Sequence, residues 1–406
     1  MEEEVHGIVI VGGGICGLAT ALALHRKGIS SLVLEKSETL RTDGVAIGVH
    51  ANGWRALDQL GLATELRETA NIITGYHNVW QQQSKSTIIP ARKELRCLKR
   101  KDLVQALAGS LPAGTIRFSC HIAAIVADPD PDGSNRTLLR TMDGSTIKAN
   151  VLIGCDGANS VVAKYLGLGS PSHLPLLIML GLTSYPHGHP FGTQFLRFAG
   201  NGFAVGLLPV TENLVHFFVS RPSPSTGFTD ESAAREYVLE KLQDCPDEIA
   251  DMVRRCDAAE TKTLTKVWYR SPWQVLLGRF QRGTVTVAGD AMHVMGPYIG
   301  QGGSASLEDA VVLARTLSRS VPNGVVVVDG NGSTRSRELQ EKRISVALGE
   351  YVRERRARLF MLSLESYVIG TLRIAKSLLK KLACVAMLTL LGSESRRHAN
   401  YNCGPL

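Results

Sequence analysis

The chain has 406 residues, 44% hydrophobic and 20% charged, which is ordinary for a globular protein and argues against disorder or a fibre. Its 45 basic and 37 acidic residues leave a net charge of +8, but the basic residues at 92–101 and 335–358 are interspersed with acidic ones. That pattern argues against a specific nucleic-acid surface and fits attraction of an anionic cofactor or substrate.

The chain opens on Met1-Glu2-Glu3-Glu4, an acidic start unlike a secretory or organellar presequence, so a cytoplasmic location is expected. Gly7–Val11 is a short apolar run, as for a strand buried on both faces. Gly12–Gly17 forms a turn. Ile15–Lys27 reads as a helix, with Leu18, Ala21, Leu22 and Leu24 at helical spacing and Gly28 as its stop. Ser31–Leu34 is a second strand that ends at Glu35 and completes a βαβ unit. Arg41–Gly48 is a loop, Asn52–Leu60 a helix capped by Asn52, 72–90 a hairpin, and Lys101–Ser110 a helix led by Arg100. Ile116–Ala127 and Thr137–Ile147 are strand-like, with turns at Pro129–Asn135 and Asp143-Gly144, and Val151–Gly154 re-enters the first sheet.

From residue 174 the pattern changes. Gln194–Phe198, Phe203–Leu208 and Leu214–Ser220 are strands without intervening helices, the signature of an antiparallel sheet. With a helix at Glu231–Gln243 they define a smaller substrate-binding domain, 174–275. It interrupts a dinucleotide-binding domain made of 1–173 and 276–335. Val285–Ala288 is the returning strand, Ser304–Ser318 a helix, Pro322–Thr334 a surface loop, and 336–406 a segment of helices and tail. The apolar run Leu382–Leu391 is about half the length of a membrane-spanning helix. The eight cysteines form no Cys-x-x-Cys pair and accompany no histidine cluster, so neither a disulfide framework nor a metal site is expected.

Three motifs carry chemistry. Gly12-Gly13-Gly14-Ile15-Cys16-Gly17 is a G-x-G-x-x-G between a strand and a helix. Gly12 permits the tight turn, Gly14 lets a pyrophosphate approach, and Gly17 lets the helix pack close. The helix N-terminus offers free N–H groups to phosphates, and Glu35, 18 residues beyond Gly17, can accept from ribose hydroxyls. Gly289-Asp290 follows the returning strand. Pro297 and Gly300-Gln301-Gly302-Gly303 precede the helix at Ser304, whose amides can face a developing negative charge.

With Cys155-Asp156-Gly157 and Ser160 between them, these motifs resemble, in order and spacing, those of the para-hydroxybenzoate-hydroxylase-like flavoprotein monooxygenases. More narrowly, VLIGCDGANSVVA, GDAMHVMGPYIGQGGSASLEDA and the closing NCGPL are similar to plant zeaxanthin-epoxidase-related monooxygenases without a plastid presequence. The resemblance implies an α/β fold, with a Rossmann-like FAD-binding domain on a mixed sheet, interleaved with the antiparallel substrate domain. It implies FAD as cofactor, NADPH or NADH as donor, and O2 as co-substrate. A small organic substrate would be hydroxylated or epoxidised through a flavin hydroperoxide. Gly12, Gly14 and Gly17 would hold the pyrophosphate and Glu35 the adenosine ribose. Arg41 would approach the flavin side, Arg100 the phosphates and Asp290 the ribityl chain. Amides near Gly303 and Ser304 would meet the flavin pyrimidine edge, and Pro297 would sit beside the ring. Asp156 would support both FAD and the donor. The family often has Arg three residues after the serine of the Asp-Gly motif; this chain has Ala163 there, followed by Lys164.

Other readings stand beside this one. The same scaffold serves FAD-dependent reductases and dehydrogenases and non-catalytic FAD-binding regulatory proteins, whereas Trp54, Trp80, Trp268 and Trp273 give no W-x-W-x-I halogenase pattern. His293 is expected to be a packed histidine. Glu308 and Asp309 are expected to serve a helix dipole. Arg197, His216 and Phe218 either line the substrate pocket or face solvent and core. The basic stretch Lys376–Lys381, with the apolar run behind it, is expected to pack on the body of the protein, with peripheral membrane contact as the other possibility.

Overall fold

The computed structural model describes residues 4–41, 45–80, 85–129, 135–200, 202–222, 231–242, 245–256, 261–264, 267–321, 334–395 and 398–406. The expected loop at 322–334 falls almost entirely outside them, as does most of the turn at 129–135.

The first sheet is centred on Glu4–Val11, which pairs in parallel with Thr146–Gly154 on one side and Leu32–Leu34 on the other. Val285–Val287 joins Thr146–Gly154 in parallel, and Ile116–Arg117 joins Leu32–Leu34. Antiparallel strands Asn135–Thr141 and Ile122–Pro129 extend one end, so the sheet is mixed. The expected strand 116–127 breaks in two at Ser119, whose φ is 57°. There the backbone leaves the sheet to follow the loop after Glu35, with Ser119 N donating to Ser37 O and Cys120 N to Glu35 O.

The helix Ile15–Arg26 is buried on every side from Ile15 to Leu24, because it lies between this sheet and the helix Gly302–Ser320. A helix apolar all round belongs in such a layer, and each fully buried Leu or Ile contributes about 2 kcal/mol. Helix and strand are so close that a Cβ on Gly17 would lie 1.9 Å from the Gly12 carbonyl oxygen.

The second sheet has seven strands in the order Thr261–Leu264, Leu176–Ser184, Leu214–Pro222, Ala204–Thr211, Gln194–Ala199, Gly75–Trp80, Lys85–Pro90. Its strands from 176 to 222 pair antiparallel, as their patterning predicts. Gly75–Trp80 and Lys85–Pro90, antiparallel to each other, also belong to this sheet, the first pairing in parallel with Gln194–Ala199 although it lies early in the sequence. One face of the sheet is covered by the helices Glu231–Lys241 and Asp247–Arg255 through a separate apolar cluster. A helix of 41 residues, Thr334–Ile374, then packs along Gly302–Ser320, and Leu378–Ser395 follows it.

Candidate active site

Three distant glycine turns converge. A Cβ on Gly12 (φ +105°) would lie 2.5 Å from the Cys155 carbonyl oxygen, and one on Gly289 (φ +60°) 2.8 Å from the Cys16 Cβ. The G-x-G-x-x-G turn, the Asp-Gly motif and the Gly-Asp motif therefore touch one another. At Gly14, by contrast, a Cβ would meet nothing within 4 Å, so the backbone faces open space.

Several of the expected polar groups lie on or beside these turns. Glu35 is buried at the end of its strand, and its carboxylate accepts from Gly13 N at 2.7 Å and Ser37 N at 2.9 Å. These bonds fix its orientation and leave lone pairs for a ligand. Arg41 Nε is 3.5 Å from Glu35 Oε1, which puts Arg41 beside that carboxylate. Arg100, at the start of the helix Arg100–Gly109, donates to Arg41 O and sends its charge toward Asp290. Asp290 is reached by solvent, yet the protein crowding it raises its carboxyl above the usual range, with His293 and Arg100 opposing. Asp156 accepts from Val161 N with one oxygen, while its Oδ1 is buried with no partner. Burial raises the Asp156 carboxyl against the hydrogen bonds of Ser160 and Val161. Ala163 is buried and its N–H donates to the Ser160 hydroxyl, whereas Lys164 is exposed, so the two positions look in different directions.

The helix expected from Ser304 begins at Gly302, so Gly303 and Ser304 lie in its first turn. That turn packs against Ala46–His50, with a Cβ on Gly303 meeting Ile47 and the Ser304 hydroxyl accepting from His50 N at 3.4 Å. His50 is held neutral, its pKa lowered to about 3 by burial and by His398.

Beneath this cleft lies a buried charge network. Asp309 accepts from Gly289 N at 2.9 Å, from His293 Nε2 at 2.6 Å and from Arg355 Nε at 2.6 Å. Arg355 also donates to Glu308, which accepts from Asn52 and Arg358. Burial raises the Asp309 carboxyl, but His293 and Arg355 overcome it and hold it below the usual range. His293 is thus a packed histidine, as expected. Glu308 and Asp309 do not serve the helix dipole, because both sit beyond the first turn and face the core. Nor does Asn52 cap a helix: that helix starts at Ala51, and the Asn52 amide donates to Gln301 and Glu308. The closing residues strap over the network, where Arg358 donates to His398 O and Arg55 to Tyr401 O.

The substrate candidates separate. His216 is buried, its Nδ1 3.1 Å from Gly181 O, and burial lowers its pKa to about 4, so it is a neutral packing residue. Phe218 joins two apolar clusters, one with Tyr76 and Phe195 and one with Tyr298. Arg197 lies over the Tyr76 ring at 4.8 Å and the Phe195 ring at 5.6 Å. Next to Pro297, Tyr298 carries Arg373 over its ring at 5.8 Å, and its buried hydroxyl has no partner. Arg197 and Arg373 are near enough to repel, and neither has a carboxylate partner among the described residues. Protein crowding lowers both guanidinium pKa values, yet both remain open to solvent. Tyr76, Tyr298 and Arg373 were not singled out from sequence. They come from three remote elements; Tyr298 stands inside the quoted motif beside Pro297, whereas Tyr76 and Arg373 lie in no motif.

This fold and cleft define a class, and comparison with known proteins bears it out. A family model described as "FAD binding domain" matches residues 5–324, and the chain belongs to that family. FAD is its cofactor and it is an FAD-dependent monooxygenase. Among particular relatives, "Monooxygenase 1" of Arabidopsis thaliana is 43% identical over 410 residues, covering all of both chains. "Monooxygenase 2" of the same plant is 38% identical over 382 residues, covering 91% of this chain and 90% of the relative. The fold is similar to that of Klebsiella pneumoniae HpxO complexed with FAD and uric acid, with a TM-score of 0.77 and 23% identity, covering 97% of this chain and 96% of that one.

Proposed function

We propose that the protein uses NADPH or NADH and O2 to place one oxygen atom on a small, planar organic anion. When bound, FAD supplies the electron transfer and oxygen activation. In this reading the open backbone at Gly14 and the N-terminus of the helix Ile15–Arg26 receive the pyrophosphate, with Gly12 and Gly17 setting the turn. Glu35 accepts from the adenosine ribose and Asp290 from the ribityl chain, with Arg100 nearby to balance the charge of Asp290 and the phosphates. The free oxygen of Asp156 suits it to accept from the cofactor or the nicotinamide donor. The first-turn amides at Gly303 and Ser304 meet the flavin edge, where their partial positive charge favours an anionic ring. Pro297 lies at the substrate side.

The observation that carries the substrate class is the pair Arg197 and Arg373. Two neighbouring guanidinium groups, open to solvent and without an acid partner, suit an anion. Tyr76, Phe195, Tyr298 and Phe218 around them favour a flat, apolar body, and the unpartnered Tyr298 hydroxyl offers an orienting hydrogen bond. The test is a screen of aromatic carboxylates and enolates, each against its neutral amide or ether, for stimulated NAD(P)H oxidation, followed by mass analysis for an added oxygen. Stimulation and oxygen gain confined to anions support the reading. Oxygen gain confined to neutral compounds overturns the substrate class, and flavin that neither donor reduces overturns the reaction.

A further inference from the structure

The helix Leu378–Ser395 is turned the wrong way for a water-soluble surface. Its inner side packs on the helix Thr334–Ile374 through Cys384 and the partly covered Leu388 and Leu391. Its outer side carries Leu378 (70% exposed), Leu379 (78%), Leu382, Val385 and Leu390 (83%). At about 100° per residue these side chains, with Ala383, Ala386 and Thr389, span about 160° of the circumference without one charge. The packing expected from sequence therefore occurs only along the inner side, and the greater part of the apolar surface is left outside. Scattered exposed leucines are normal, but a contiguous apolar face marks an interaction site.

Charge points to the occupant. Lys376, Lys380 and Lys381 cluster at the start of the helix, all exposed, and none forms an ion pair with a described residue. On the helical projection Lys380 and Lys381 flank the apolar arc on either side. An apolar stripe bordered by lysines, on a chain of net charge +8, is complementary to the interface of an anionic bilayer. No helix among the described residues is long and apolar enough to cross a membrane. The helix also starts just after Arg373 and Ile374, which pack beside Tyr298 at the substrate pocket proposed above.

We propose that Leu378–Ser395 seats the protein on anionic lipid surfaces, its leucines among the acyl chains and its lysines at the phosphates, with the substrate pocket held near the lipid. The inference does not depend on which substrate is oxygenated. Flotation of the full-length, flavin-loaded protein with vesicles of phosphatidylcholine, with and without phosphatidylserine, tests it. Binding is expected with phosphatidylserine, weakening as salt rises. The triple variant Leu379→Ser, Leu382→Ser, Val385→Ser should bind at least about tenfold more weakly, and so should Lys380→Glu with Lys381→Glu. All these residues are on the surface, so retained flavin absorbance and melting temperature confirm folding. No flotation with either vesicle overturns the proposal, as does undiminished flotation of the triple variant. A wild-type dimer that the triple variant dissolves, with no vesicle binding by either, assigns the face to a second copy of the chain instead.

Discussion

The proposed cofactor cleft draws on Asp290 and the proposed anion pocket on Tyr298, but the two are assembled in opposite ways. The cleft is made of short turns, each a local motif whose backbone geometry restricts the residue: Gly12 at φ +105°, Gly289 at φ +60°, and Gly17 against a carbonyl oxygen. The proposed pocket is made of side chains borrowed from remote elements, with Tyr76 and Phe195 on neighbouring strands, Tyr298 on a short turn and Arg373 at the end of a long helix. Backbone constraint leaves a signature in sequence. Side-chain convergence does not, and it can change without disturbing the fold.

The largest expected effect tests the first half of that contrast. Gly17→Val places side-chain atoms where even a Cβ would sit 1.9 Å from Gly12 O, and it should yield no stable, flavin-retaining protein. Gly14→Ala, whose Cβ meets nothing, should leave apoprotein melting unchanged while weakening FAD binding. Equal melting temperatures for Gly17→Val and wild type would contradict the geometry.

Next comes the network under the cleft. Arg355→Met removes one partner from two buried carboxylates and should cost about 3–5 kcal/mol in urea unfolding. Because Asp309 also holds Gly289 N, FAD binding should weaken with it. A loss below about 1 kcal/mol would contradict a buried network that depends on Arg355.

The pocket should behave differently. Arg373→Met and Arg197→Met should each raise KM for an anionic substrate by about 10- to 100-fold, the weight of a charged hydrogen bond, without loss of flavin. Loss of flavin from either variant would merge the two regions into one.

The effect furthest from both regions is a pH dependence. His216 has a folded pKa of about 4, below its usual 6.5. Above pH 6.5 folded and unfolded states are both neutral, so its contribution is constant. As pH falls toward 4 the unfolded chain takes up the proton first, and stability should drop by about 1–3 kcal/mol. His216→Gln should lessen that slope, to which His50 also contributes, in unfolding measured from pH 7 to 4.

Much of the first sheet was legible because its strands are continuous apolar runs next to glycine turns, and the antiparallel order of 176–222 followed from strands without helices between them. The placement of Gly75–Trp80 in the second sheet was not legible, since parallel pairing with a strand more than a hundred residues later leaves no local mark. Ser119 hid the break in 116–127, because a serine with positive φ looks like any other. Glu308 and Asp309 read as dipole partners because their buried cation, Arg355, comes from another helix. The Arg373 contribution to the pocket was hidden for the same reason.

The most direct test is the visible spectrum of flavin-loaded protein titrated with matched aromatic carboxylates and their amides, in wild type and in Arg197→Met with Arg373→Met. The account predicts that some carboxylates perturb the flavin absorbance of the wild type, that their amides do not, and that the double variant keeps its flavin but loses the response. An unchanged response in the double variant, or amides as effective as acids, would contradict it.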